Sequence, residues 1–209
     1  MVVSNDDVDL RAEVGDASNV FVLAPTFTPD VEVWCSNLID CASDRTEAVL
    51  YIASGPPSGH LERCRTNGSS ESLRRIGFLN LGGAGTPPGS SLDALERDGV
   101  DVQIRSVESP GNLTKIGVEL NELLTDWADV DGEIAICFES LTPLIQYSDV
   151  ENVYRFLHVL TNQVKAVDAK AHYHLDPGAH DQTDVNLLLT MVDAVVELAD
   201  DGGVRIRQR

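Results

Sequence analysis

Apolar positions fall into two alternating rhythms along this chain. Continuous short runs, Val20-Phe21-Val22-Leu23-Ala24, Ala48-Val49-Leu50-Tyr51-Ile52 and Ile134-Ala135-Ile136-Cys137-Phe138, read as strands buried on both faces. Arg75 to Leu81 and Ala169 to His174 read the same way, and Val100 to Ile104 alternates as a short edge strand does. Between the runs the spacing changes to three and four. Val31, Trp34, Leu38 and Cys41 share one helix face, as do Leu113, Ile116, Leu120, Leu123, Leu124 and Trp127, with Asn112 or Ser109 as the cap. Val153, Phe156, Leu157, Leu160 and Val164 mark a long helix over 150–167, and 184–192 suits a short one. Ala194 to Leu198, the turn Asp200-Asp201-Gly202-Gly203 and Val204 to Arg207 predict a closing β-hairpin. This alternation predicts an α/β fold: a mostly parallel sheet flanked by helices, with a C-terminal hairpin. Residues 19–209 read as one domain, and residues 1–18, acidic and without apolar period, as a mobile lead-in.

Composition sharpens this reading mainly through charge. The 209 residues carry 34 acidic against 15 basic side chains, a net charge of −19, with only Lys115, Lys165 and Lys170 as lysines. Such self-repulsion is tolerated where salt screens it, so the chain reads as a halophile's protein. The same balance leaves no basic stripe for a phosphate backbone, which excludes nucleic acid as a partner. No apolar run reaches the length of a membrane span, and Met1 to Asp7 has neither half of a signal peptide. The expected location is the cytoplasm, without membrane insertion. Cys35, Cys41, Cys64 and Cys137 form no Cys-x-x-Cys, and the simplest reading of all four is as small core residues of a reducing compartment.

In a parallel α/β sheet the chemistry gathers where strands end. The run Ile134 to Phe138 ends in Glu139-Ser140-Leu141-Thr142, an apolar strand delivering a carboxylate and then Ser-Leu-Thr. This resembles the Walker B region of RecA-type ATPases, in the Asp-Ser-Leu-Thr form of KaiC-like proteins. The order that follows is similar to that fold too: a long helix, the strand at 169–174, a short helix and a hairpinned last strand. Phe156 to Thr161 with Ala171-His172-Tyr173-His174-Leu175-Asp176-Pro177 looks more narrowly like a haloarchaeal KaiC-like family, some of whose members are labelled transducer-like (HTR-like). The resemblance implies a RecA/KaiC-like scaffold, a ligand pocket around Glu139, Ser140 and Thr142, and a sensor strand bearing His172, His174 and Asp176.

The rest of the ATPase apparatus is missing. A phosphate loop needs glycines whose amides face the phosphates, a Lys, and a Ser or Thr for magnesium. After the first strand this chain has Pro25-Thr26-Phe27-Thr28-Pro29-Asp30-Val31-Glu32: no Gly, no Lys, two prolines without an amide donor, and acids that repel triphosphate. Ser54-Gly55-Pro56-Pro57 stands where KaiC-like ATPases carry paired Glu, and the Gly82–Gly89 loop leads to Ser90-Ser91 rather than Gly-Lys-Ser/Thr. Losing several charge-stabilising elements together removes phosphoryl transfer, so ATP and magnesium are not the expected cofactors and no residue is expected to be catalytic.

His172-x-His174, with His180 and Asp176 nearby, leaves three readings open: a metal site, a residual ligand sensor, or hydrogen-bonded structural histidines. Ser140 with His172 or His174 lacks the Gly-x-Ser-x-Gly elbow of a hydrolase. The expectation is a non-catalytic regulatory or signal-transduction protein that acts through protein partners. The alternatives are a nucleotide-binding subunit completed by homo-oligomerisation, and a metal-dependent enzyme using His172, His174 and His180.

Overall fold

The computed structural model describes residues 2–3, 9–25, 31–39, 43–55, 72–83, 99–198 and 203–208. Their core is one sheet. Its strands are β1 (Val2–Val3), β2 (Asn19–Leu23), β3 (Thr46–Ala53), β4 (Arg75–Leu81), β5 (Asp101–Val107), β6 (Glu133–Phe138), β7 (Lys170–Leu175), β8 (Ala194–Leu198) and β9 (Val204–Gln208). They lie in the order β1-β9-β8-β2-β7-β6-β3-β4-β5. Pairing is parallel from β8 through to β5, and antiparallel in the β8–β9 hairpin and between β9 and β1. The mostly parallel α/β fold with its closing hairpin therefore holds, and Asp101–Val107 is the edge strand that its alternation predicts.

Two faces of unequal character follow from strand alternation. One carries Phe21, Leu50, Ile52, Ile136, Phe138 and Tyr173 and is covered by α3 (Leu113–Asp126), α4 (Thr142–Tyr147), α5 (Val150–Ala166) and α6 (Gln182–Leu189). Asn112 caps α3 by accepting from the Lys115 amide at 3.1 Å, as its position predicts. Beneath this layer the Tyr173 hydroxyl donates to Asn19 Oδ1 at 2.8 Å, and Asn19 Nδ2 donates to the Thr161 carbonyl at 3.3 Å. A buried polar residue at the start of β2 is thereby satisfied on both sides.

The opposite face is covered by α1 (Leu10–Val14) and α2 (Val31–Ile39). Its apolar residues form two separate groups. Trp34 and Leu38 of α2 pack with Val20, Val22 and Val196, whereas Cys35 and Ile39 pack with Val49, Tyr51, Ala135 and Cys137. The break falls at β7, which shows His172 and His174 to this side, both buried.

Within the acidic segment read as a lead-in, Leu10–Val14 forms a short helix. Asp9 caps α1 by accepting from the Ala12 amide, and Leu10 and Val14, one turn apart, are buried while Ala12 and Glu13 between them face outward. Two apolar residues at helical spacing were enough to anchor the turn, too few to register as a period.

Candidate functional site

The strand ends place the carboxyl-edge residues first. Ala24 donates its amide to the Leu175 carbonyl at 3.1 Å, and Pro25 follows half-buried; Thr26, Thr28 and Asp30 lie outside the described residues. Beyond β6 the Glu139 amide donates to the Ile52 carbonyl at 2.9 Å and the Leu141 amide to the His174 carbonyl at 2.8 Å, so the turn is held by its backbone while the Glu139 side chain is exposed. Ser140 Oγ accepts from the Thr142 amide at 3.2 Å. Thr142 Oγ1 in turn lies 3.5 Å from the Asp176 amide and 3.2 Å from His180 Nε2. Asp176 Oδ1 accepts from the Gly178 amide at 2.9 Å and shapes the 3-10 turn Pro177–Ala179. Burial lowers the His180 imidazole below its ordinary value, against the raising pull of Asp176 and Asp184. Ser140, Thr142, Asp176 and His180 are thus neighbours, with Thr142 Oγ1 and His180 Nε2 as the direct side-chain pair. Neither 139–142 nor 176–180 contains a Lys or Arg to meet a phosphate.

His172 and His174 do not join that cluster. Strand alternation turns them toward α2, and the register sets Cys137 of β6 directly beside His172 of β7. Cys35 descends from α2 onto the same spot. Its Sγ lies 3.2 Å from Cys137 Sγ and 3.3 Å from His172 Nε2, and the two imidazole rings are 5.1 Å apart at a steep 71°. One donor atom from each of Cys35, Cys137, His172 and His174 falls within 4.8 Å of the others, and all four residues are buried. The Cys137 hydrogen bond pulls the Cys35 thiol well below its ordinary value, burial opposes this, and His172 adds to the lowering.

This geometry redraws the histidine set read from sequence. His180, beyond the strand on the 3-10 turn, bonds Thr142, and two cysteines stand with His172 and His174 instead. The reading of Cys35 and Cys137 as buried residues holds for their burial, but their surroundings are polar rather than apolar alone. Cys41 and Cys64 lie outside the described residues. The two cysteines are 102 residues apart in the chain, and only the placement of β6 beside β7 with α2 across them brings the four together.

Comparison with known proteins agrees with the topology. Residues 17–198 match the Family of unknown function (DUF7504), and the chain belongs to that family. No curated protein matches it in sequence. Among solved structures it is similar to the flagellar accessory protein FlaH from Methanocaldococcus jannaschii, with TM-score 0.56 and 11% identity over 100% of this chain and 88% of that one. The KaiC-like protein PH0186 from Pyrococcus horikoshii OT3 gives 0.52 and 11%, over 91% and 78% of the two chains. Uncharacterized protein PH0321 from Pyrococcus horikoshii, solved in complex with an unknown peptide, gives 0.59 and 11%, over 99% and 90%. The fold is RecA/KaiC-like.

Proposed function

We propose that this member of the DUF7504 family is a non-catalytic, KaiC/RecA-like regulatory or signal-transduction protein of a halophile's cytoplasm, akin to the transducer-like proteins its sequence resembles. The observation that carries this reading is the segment after β2. Pro25-Thr26-Phe27-Thr28-Pro29-Asp30 offers no glycine and no lysine where the RecA/KaiC-like scaffold would cradle phosphate. The other strand ends support it. The Asp176 amide and His180 Nε2 both turn to Thr142 Oγ1, and a nucleotide's phosphates would meet the exposed Glu139 with no cation from 139–142 or 176–180.

Such a protein works by contact rather than turnover. Between α3 and α5 the surface leaves Val118 and Val159 exposed beside Phe156, apolar area that a protein partner would cover. The description of PH0321 with a bound peptide is in keeping with a scaffold that serves polypeptide contacts. Calorimetry with ATP and magnesium at molar salt tests the proposal: no binding heat is expected. Micromolar binding would overturn it, and nucleotide-dependent assembly in light scattering would establish a subunit-completed nucleotide site in its place.

A further inference from the structure

We propose that Cys35, Cys137, His172 and His174 form a tetrahedral site for one zinc ion that clamps α2 to strands β6 and β7. The site lies on the opposite side of β7 from Tyr173 and the larger core, and it stands whether or not the chain binds nucleotide.

The donor set comes first. Two thiolates and two imidazoles are a closed structural zinc set, soft enough to reject magnesium and calcium and with no position left for water or substrate. Distances come near it. Zinc–sulfur bonds of about 2.3 Å and zinc–nitrogen bonds of about 2.0–2.1 Å place tetrahedral donors roughly 3.3–3.8 Å apart. The Cys35–Cys137 and Cys35–His172 separations are 3.2 and 3.3 Å, and no pair exceeds 4.8 Å. Side-chain adjustments of about an ångström close the set around a metal.

His174 supplies an independent reason. Its side chain is buried at 6% exposure, and among the described residues neither ring nitrogen has a hydrogen-bond partner of ordinary geometry, the Cys35 thiol being only a weak electrostatic neighbour. A buried imidazole with two unsatisfied nitrogens sits poorly in an apolar interior, and coordination would satisfy one of them. The neighbourhood also explains why a histidine is there at all. Along β7 the two apolar groups of this face separate, and an aliphatic residue at either position would have joined them into one core. Access exists from the amino end of the sheet, where a cavity of about 360 Å³ reaches His172 between the acids Asp9, Asp16 and Glu133 and the bases Arg11, Arg45 and Lys170. Binding releases the thiol protons to solvent and involves no change of oxidation state.

The test begins with metal analysis of the full chain, purified untagged, reduced and without chelator at high salt. About one zinc per chain is expected. Replacement by cobalt should give the visible bands of a tetrahedral ion and thiolate-to-metal charge transfer in the near ultraviolet. Cys35→Ser and Cys137→Ser should each lose the metal and the charge-transfer band, whereas Cys41→Ser with Cys64→Ser should keep both. Should the site variants fail to fold, the chelator-stripped wild-type chain decides, through a one-to-one cobalt titration and recovery of its thermal midpoint with zinc. A folded, reduced wild-type chain that neither carries metal nor takes up cobalt overturns the proposal. So does a Cys35–Cys137 disulfide in chain isolated without reductant that persists when zinc is supplied, or metal retained in the site variants.

Discussion

Asp193 joins three elements at a single carboxylate. Oδ1 accepts from Lys165 Nζ at 2.7 Å at the end of α5, Oδ2 accepts from the Asn19 amide at 3.0 Å where β2 begins, and its own amide donates to the Asn19 carbonyl as β8 starts. Burial raises this carboxyl, but Lys165 and the Asn19 amide overcome that and hold it below its ordinary value. A depressed carboxyl adds stability above the unfolded value, near pH 3.9, and that stability is lost as pH falls through the folded one. Acid should therefore weaken the fold below about pH 4. Asp193→Ala should cost about 1.5–3 kcal/mol near neutrality and flatten the acid limb of stability against pH, as urea titrations across pH 2–7 would read, on the scale of hydrogen bonds to charged groups. An unchanged acid limb would remove Asp193 as its source. The sequence shows an Asp just before an apolar run and nothing of these partners, because Lys165 and Asn19 are 28 and 174 positions away.

Elements meet closely where the end of α3 crosses β4. Gly77 lies under the buried Trp127, and a Cβ there would come within 2.8 Å of Trp127 Cη2 and 2.9 Å of Leu50 Cδ1. Gly77→Ala overpacks a closed site and should cost about 1–3 kcal/mol, seen as a lower urea midpoint at unchanged slope. Gly117 makes the opposite case. It is inside α3, and its added Cβ would meet only Phe156 at 3.9 Å, so Gly117→Ala should stabilise by about 0.5–1 kcal/mol through helix propensity. Loss of stability in the second variant would mean that the α3–α5 contact is closer than it stands. At this scale the chain was legible. The strands at 20–24, 48–52, 75–81, 134–138 and 169–174, the Asn112 cap and the hairpin all emerge from period, because each depends on residues close in sequence. Helix α1 escaped it, since its contribution is two buried residues and a tie from the Leu10 amide to Asn37 Oδ1, a partner 27 residues on.

For the whole molecule the dominant fact is the charge of −19. Local networks offset little of it. Arg105 gathers Glu119, Glu122 and Asp126 within 2.6–3.1 Å, and Arg75 holds Asp129 at 2.6 Å, but exposed pairs are each worth about 0–1 kcal/mol and weaken in salt. Self-repulsion across the surface is the larger effect, and at 1 M salt the screening length falls to about 3 Å. Thermal scans between 0.1 and 2 M potassium chloride should therefore show a rising midpoint; a falling one would mean that the ion pairs outweigh the repulsion. Among the described residues no helix is long and apolar enough to cross a membrane. Sequence alone determined the α/β class, the mostly parallel sheet, the acidity and the absence of Gly and Lys from Pro25 to Glu32, because these reside in composition, local period and the residues of one segment. It also supplied His172 and His174 on one face of a strand. Only the tertiary structure decided what that face meets. Two histidines point together by strand geometry, but the partners that complete them, Cys35 and Cys137, are set by β6 lying beside β7 and by α2 crossing both. No periodicity encodes that placement; it follows from burying both faces of one sheet.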